Sequence, residues 1–281
     1  MGKRIAKNKL AVTEHRKNFI SLIDKLAYRN SRWNVFNDFL EVAAISFSNS
    51  DIRLLATDKE TWEEREKLAT RTLSKYTYEE QQYFPELLTE LTFEFEKDFP
   101  NYVDVLGEMF HALNFHDEWK GQFFTPQNVS DMIGMCIVDN DIINKQIKER
   151  GFFTALEPCS GAGGMILGMI NAMHKIGLNH RKQVFIVAND LDERCVLMTY
   201  IQLSLAGVPA IVQQKDSISG ITYGSAWYTP VFIFDGWRFK IQSVFSELCG
   251  TEIFGERRQI IESVTRKNFY SMAAIENIFI W

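Results

Sequence analysis

Two stretches of the sequence set residues capable of binding chemistry at the ends of apolar runs. In Ala155-Leu-Glu-Pro-Cys-Ser-Gly-Ala-Gly-Gly-Met-Ile-Leu167 a strand-like segment enters a glycine loop and leaves as a helix. Without side chains at Gly161, Gly163 and Gly164 the main chain can turn tightly and let a ligand lie against it. The first turn of the following helix offers free N–H groups to an anion, either a carboxylate or a pyrophosphate. A strand-to-helix turn with no ligand uses glycines in the same way, so this loop decides little by itself. The second stretch is Val184-Phe-Ile-Val-Ala-Asn-Asp190-Leu-Asp192. An acid closing a second strand can accept hydrogen bonds from both hydroxyls of a ribose. Carboxyl ends of neighbouring strands in an open α/β sheet border one crevice, so Gly161 and Asp190 are expected to face one adenosine-containing ligand. Capping of the next helix is the competing role, above all for Asp192. A third run, Ala210-Ile-Val-Gln-Gln-Lys-Asp216, also ends in an acid, which would serve either an adenine amine or a turn.

The elements needed to position these residues are legible as periodicities. Apolar runs at Phe152 to Leu156, Val184 to Val187 and Ala210 to Val212 alternate with helical segments, which implies parallel βαβ units and an α/β fold. A further strand is expected over Val231 to Phe234. From about residue 10 to 97 apolar side chains recur at helical spacing, as in Phe19, Leu22, Ile23 and Leu26, then Phe36, Phe39, Leu40 and Val42. The expected division is therefore a helical N-terminal domain, 1–100, and an α/β domain, 101–281. Asp51 and Asp58 read as helix starts, and Pro100-Asn101 as a break before a helix from Tyr102 to about Phe115. Gly121-Gln-Phe-Phe-Thr-Pro126 reads as a loop leading into an amphipathic helix through Met132, Ile133, Met135 and Ile137.

Bulk properties narrow the function classes. A chain of 281 residues with 46% hydrophobic and 13% aromatic content can fill a substantial core, which excludes a disordered or fibrous protein. No apolar run reaches the roughly 18 residues that span a bilayer, and Met1-Gly-Lys-Arg-Ile-Ala-Lys-Asn-Lys lacks the apolar stretch of a signal peptide. A soluble cytoplasmic protein without membrane partners is expected. Cys136, Cys159, Cys195 and Cys249 form no Cys-x-x-Cys pair, so no metal site is expected and the thiols read as reduced and mostly buried. The net charge of −5 argues against broad attraction to nucleic acid, so a DNA partner would need a local basic patch. Lys3, Arg4, Lys7, Lys9, Arg16 and Lys17 offer one, although a solvated chain end reads the same way. His111 and His116 flank the loop at Gly121, with surface or capping roles as the alternative.

In combination these segments resemble the modification subunit of type I restriction systems and its N6-adenine DNA methylase relatives. The resemblance rests on Gly-Gln-Phe-Phe-Thr-Pro at 121 to 126, Glu-Pro-Cys-Ser-Gly-Ala-Gly-Gly at 157 to 164, the acid after the second strand and Lys-Asp-Ser after the third. They occur in family order and span roughly residues 102 to 219. The resemblance implies a Rossmann-like sheet for S-adenosylmethionine (SAM), with DNA as substrate and with a specificity or other subunit as a partner. By resemblance, Phe124, Thr125 and Pro126 close over SAM. Glu157, Pro158, Gly161 and Gly163 belong to the loop that holds its methionine end, Asp190 takes its ribose and Asp216 its adenine.

The sequence also departs from that family. Amino-methylases carry Asn/Asp-Pro-Pro-Tyr/Phe after the fourth strand, where carbonyl oxygens accept from the target amine and the ring stacks on a flipped base. This chain contains no Pro-Pro pair. In Trp227-Tyr-Thr-Pro-Val-Phe-Ile-Phe-Asp-Gly-Trp237, Asp235 is the candidate acceptor and Trp237 the candidate stacking ring, one residue short of the family spacing; Thr229-Pro-Val-Phe232 keeps the spacing but precedes the expected strand. Beyond Trp237, residues such as Ile260, Ile261 and Val264 look helical, so the sheet is expected to be incomplete on that side. Two further readings stand beside the methylase: a SAM- or DNA-binding module of methylase ancestry, and an NAD-type oxidoreductase. The latter lacks Gly-x-Gly-x-x-Gly, because Ile166 stands where the last glycine belongs.

Overall fold

The computed structural model describes residues 13–50, 58–113, 124–138 and 141–250, the last six by main chain only. Several of its helices start where short polar side chains take up the orphan N–H groups of a first turn. Thr13 caps α1 (Glu14–Leu26), Ser31 caps α2 (Arg32–Asn49) and Asp58 caps α3 (Lys59–Leu73). Thr77 and Glu80 form a reciprocal capping box around α4 (Tyr78–Gln81), and α5 (Tyr83–Glu96) follows. Asp104 caps α6 (Val105–Ala112), a shorter helix than the expected one from Tyr102 to Phe115. Over the described residues between 13 and 97 the observed elements are helices. Lys3, Arg4, Lys7, Lys9, Asp51, Phe115, His116 and Gly121 to Phe123 lie outside the described residues.

Helices α7 (Gln127–Val138) and α8 (Asp141–Arg150) lead into β1 (Phe153–Glu157), and α9 (Gly164–Lys175) and the short α10 (His180–Gln183) lead into β2 (Val184–Asp190). Helix α11 (Glu193–Leu205) then connects to β3 (Ala210–Lys215) and β4 (Thr222–Tyr228), and the described chain closes with α12 (Pro230–Phe234) and α13 (Trp237–Gly250). The strands lie in the order β1-β2-β3-β4, with β1, β2 and β3 parallel and β4 antiparallel to β3. This is an α/β fold with a mixed sheet. One face, through Phe153, Ile186, Ala188 and Val212, joins a core that runs without interruption to Phe19, Phe36 and Leu91 of the helical region. The other face packs Phe185, Val187 and Ile211 against Phe232 and Trp237.

Three sequence readings are corrected. The strand expected over Val231 to Phe234 is helix α12, because Pro230 occupies its first turn and Asp235 N–H donates to Val231 O at 3.0 Å. The fourth strand is instead Thr222–Tyr228. The buried face of α7 is Ser130, Gly134 and Val138, while Met132, Met135 and Ile137 are exposed. Small residues face inward because α7 lies against the backbone of α9: a Cβ on Gly134 would stand 2.5 Å from Gly168 O, and one on Gly168 would overlap the Ser130 carbonyl. Finally, Cys136 and Cys159 are exposed and only Cys195 is buried, while the side chain of Cys249 lies outside the described residues. No helix among the described residues is long and apolar enough to cross a membrane.

Candidate functional site

Strands β1 and β2 run parallel with Glu157 level with Ala188, so the glycine loop and Asp190 leave the sheet at the same edge. Gly161 N–H donates to Asp190 Oδ2 at 2.8 Å, and Asp192 N–H donates to Asp190 Oδ1 at 2.9 Å. The Cys195 thiol is a third donor to this carboxylate, whose four lone-pair positions still leave room for a ligand. Asp192 caps α11, accepting from Arg194 N–H at 2.9 Å, which leaves Asp190 as the acid bonded to the glycine loop. Gly161 and Gly163 adopt φ of +55° and +98°, a region that favours glycine.

The loop is held from behind by α11. Thr199 Oγ1 donates to Gly161 O at 2.9 Å, and Gln202 Nε2 donates to Ala162 O at 2.6 Å and to Asp104 Oδ1 at 2.8 Å. Gln202 Oε1 in turn accepts from Leu106 N–H at 3.2 Å. The carbonyls of the loop are therefore spent on the protein, and a side chain at Gly163 would press on Thr199. Sequence reasoning missed Thr199, Gln202 and Asp104. The available signal was two polar residues three apart in the apolar run Cys195 to Leu205, which puts them on one helix face.

Other candidates border the same loop. The half-buried ring of Phe124 lies beside Gly161, where a Cβ would stand 3.1 Å from Phe124 Cδ1, and it packs on Phe110 and His111 with centroids 5.5 Å away in both cases. Thr125 and Pro126 are exposed, and Pro126 O opens α7 by accepting from Ser130 N–H at 3.1 Å. Glu157 Oε1 accepts from Cys159 N–H at 3.1 Å. Burial raises the pKa of both Glu157 and Asp190; N–H donors oppose the rise in each, and each carboxylate is close enough to another acid to be raised further. Pro158 O accepts from Ser217 Oγ at 2.6 Å, which ties the loop to the turn after β3. Asp216 forms that turn: its exposed carboxylate accepts from Ile218 and Ser219 N–H at 2.9 and 3.2 Å, and the hydrogen bonds from Ser219 and Ile218 lower its pKa.

Asp235 and Trp237 are not brought to this place. They lie by the amino ends of the strands, where Arg181 Nε and Nη2 grip Asp235 at 2.6 and 2.9 Å. Trp237 is wholly buried between Phe152 and Phe185 and donates from Nε1 to Arg181 O at 3.2 Å, so its ring has no free face for a base. The physical reason is the helix at 230–234, which turns this segment beneath the sheet instead of ending a strand at the site edge. Thr229 of the alternative tetrapeptide is likewise structural, accepting from Ala210 N–H at 2.9 Å and donating to Val208 O at 2.7 Å. A cavity of about 440 Å³ follows β1 between α8 and α9 and reaches Glu157 and Met165. Among the described residues no cluster of His, Cys, Asp or Glu could hold a metal ion.

Fold and site together define an α/β protein whose glycine loop and strand-end acid meet at the carboxyl edge of parallel strands, the location where such sheets bind ligands. Residues 102–231 match the model of the N-6 DNA methylase family. No curated protein and no solved structure matches the chain.

Proposed function

We propose that the chain is a SAM-dependent DNA N6-adenine methyltransferase of the type I-like class. The observation carrying this reading is the 2.8 Å contact between Gly161 N–H and Asp190, which brings the glycine loop and the strand-end carboxylate to one place. The residues suit the ligand's chemistry. Asp190 accepts from the two ribose hydroxyls, the oxygen of Glu157 not engaged by Cys159 takes the ammonium, and the first turn of α9 takes the carboxylate. A cationic ligand also offsets the burial that raises the two acids. Phe124 covers the loop, and Asp216, through its turn, sets the adenine end. SAM supplies the electrophilic methyl group. The protein's part is to orient the amine of a flipped adenine toward it, with the cavity beside Glu157 and Met165 as the entry for the base.

The test is transfer of tritiated methyl from SAM to mixed-sequence DNA, with SAM binding followed by calorimetry. Asp190→Ala is expected to weaken SAM binding by about 2–3 kcal/mol, roughly 30- to 150-fold, because a charged acceptor is lost. Unchanged affinity in that variant removes the cofactor assignment. SAM binding without transfer leaves the chain as a binding module.

A further inference from the structure

We propose that a basic cleft at the amino ends of β1 and β2, across the sheet from the glycine loop, binds the phosphates of a nucleic-acid backbone. The cleft has a volume of about 390 Å³ and gathers Arg150 from the end of α8, Lys182 from α10 and Lys240 from α13. That size is in the range of sites for small ligands or a short stretch of backbone. Arg150 is half-buried and, among the described residues, makes no hydrogen bond or ion pair, and burial lowers its pKa, with the charge of the neighbouring Glu149 acting against it. A partly desolvated guanidinium without an acceptor is costly to keep and is relieved by an incoming anion. Lys182 is exposed and forms no ion pair among the described residues, and Lys240 sets its amine 4.3 Å from the ring centroid of Trp237. The nearby acids are partly committed: both oxygens of Asp235 are taken by Arg181, and Glu149 lies 3.9 Å from Lys145.

Three cations from three separate segments thus converge against the one lining carboxylate, Glu149, and the nearby Asp235, whose pKa Lys240 and Lys182 help to lower, on a chain whose total charge is −5. A guanidinium fork and two point charges suit phosphate oxygens, and their spread across an open cleft suits successive phosphates better than one small anion. Apart from Glu149, the remaining lining, Gly151, Phe152, Ser243 and Val244, brings little that could read base edges, so the contact is independent of sequence. The choice of DNA over other phosphate carriers rests on the function proposed above.

The test is binding of a mixed-sequence duplex over a range of salt concentrations by the wild type, the triple variant Arg150→Gln, Lys182→Gln, Lys240→Gln, and Glu149→Gln. The slope of log K against log salt is expected to become shallower by about 0.9 for each phosphate contact removed, two to three units in all. Melting temperature and SAM affinity should stay unchanged, and Glu149→Gln should tighten DNA binding severalfold. Superimposable salt profiles for wild type and triple variant overturn the proposal, as does a wild type that binds no duplex. It is also overturned if inorganic phosphate stabilises the wild type but not the variant while their DNA binding is equal, the result for a small-anion site. Equal salt profiles alongside methyl transfer would leave the methylase reading standing; loss of the salt response in the variant without any transfer by the wild type would do the reverse.

Discussion

At the scale of single residues, Asp104 controls the back of the glycine loop through one oxygen, which accepts from both Gln202 Nε2 and Gly107 N–H at 2.8 Å. Burial pushes its pKa up to about 6 from an ordinary 3.8, against the pull of those two donors. The native state therefore holds this proton more tightly than the unfolded chain. The resulting stability is fully present below pH 3.8 and is lost as pH rises through 6, amounting to about 3 kcal/mol at most. Asp104→Asn keeps an acceptor oxygen without the titration. Subtracting its urea-unfolding free energies from those of the wild type at intervals from pH 4 to 7.5 should give a curve falling through that window; a flat difference would show that Asp104 does not titrate there. Gly161 and Asp190 were legible because each belongs to a short strand-loop pattern in the sequence. The partners Asp104, Thr199 and Gln202 were not, because their roles depend on which face of α11 meets the loop. Asp235 and Trp237 were misread because a proline-led helix and an apolar strand share the composition Val-Phe-Ile-Phe.

At the scale of elements, the packing of α7 on α9 fixes the distance between Phe124, which precedes α7, and the glycine loop, which precedes α9. Periodicity misjudged this pair. It assigns large apolar residues to the inner face, yet glycines permit backbone contact and push Met132, Met135 and Ile137 outward. Strands β1, β2 and β3 were found from apolar runs alone, whereas Thr222–Tyr228 was missed because its first four residues are exposed and include a glycine. Gly168→Ala separates the two effects of an added methyl group. Helix propensity alone favours alanine by about 1 kcal/mol. Overlap with the Ser130 carbonyl should outweigh that gain, for a net destabilisation of about 1–3 kcal/mol. SAM affinity should fall with it as Phe124 is displaced. A variant more stable than wild type in thermal unfolding would mean that the helices are not in backbone contact.

At the scale of the whole molecule, composition and spacing suggested two domains, but the described core does not divide near residue 100. One cluster includes Phe19, Leu40, Leu106, Ile170 and Val212. Polar links cross the same boundary. Arg65 of α3 is almost wholly buried, donates to Ser48 Oγ at 2.6 Å and to Ala226 O at 2.9 Å, and stacks its guanidinium 3.8 Å from the ring centroid of Trp227 on β4. Its burial lowers its pKa, so it is held by these partners at a cost in hydration. Arg16 of α1 pairs with Glu108 of α6 across the same line. A shared core predicts one cooperative transition, seen alike by far-ultraviolet circular dichroism and tryptophan fluorescence. Arg65→Ala should lower the midpoint of that single transition, by about 2–4 kcal/mol in free energy, since it strands the Ala226 carbonyl and opens space against Trp227. Two separated transitions in the wild type, or a variant in which only the helical signal melts early, would instead mean that the first hundred residues fold as a unit and that the glycine loop is held by its own sheet without their help.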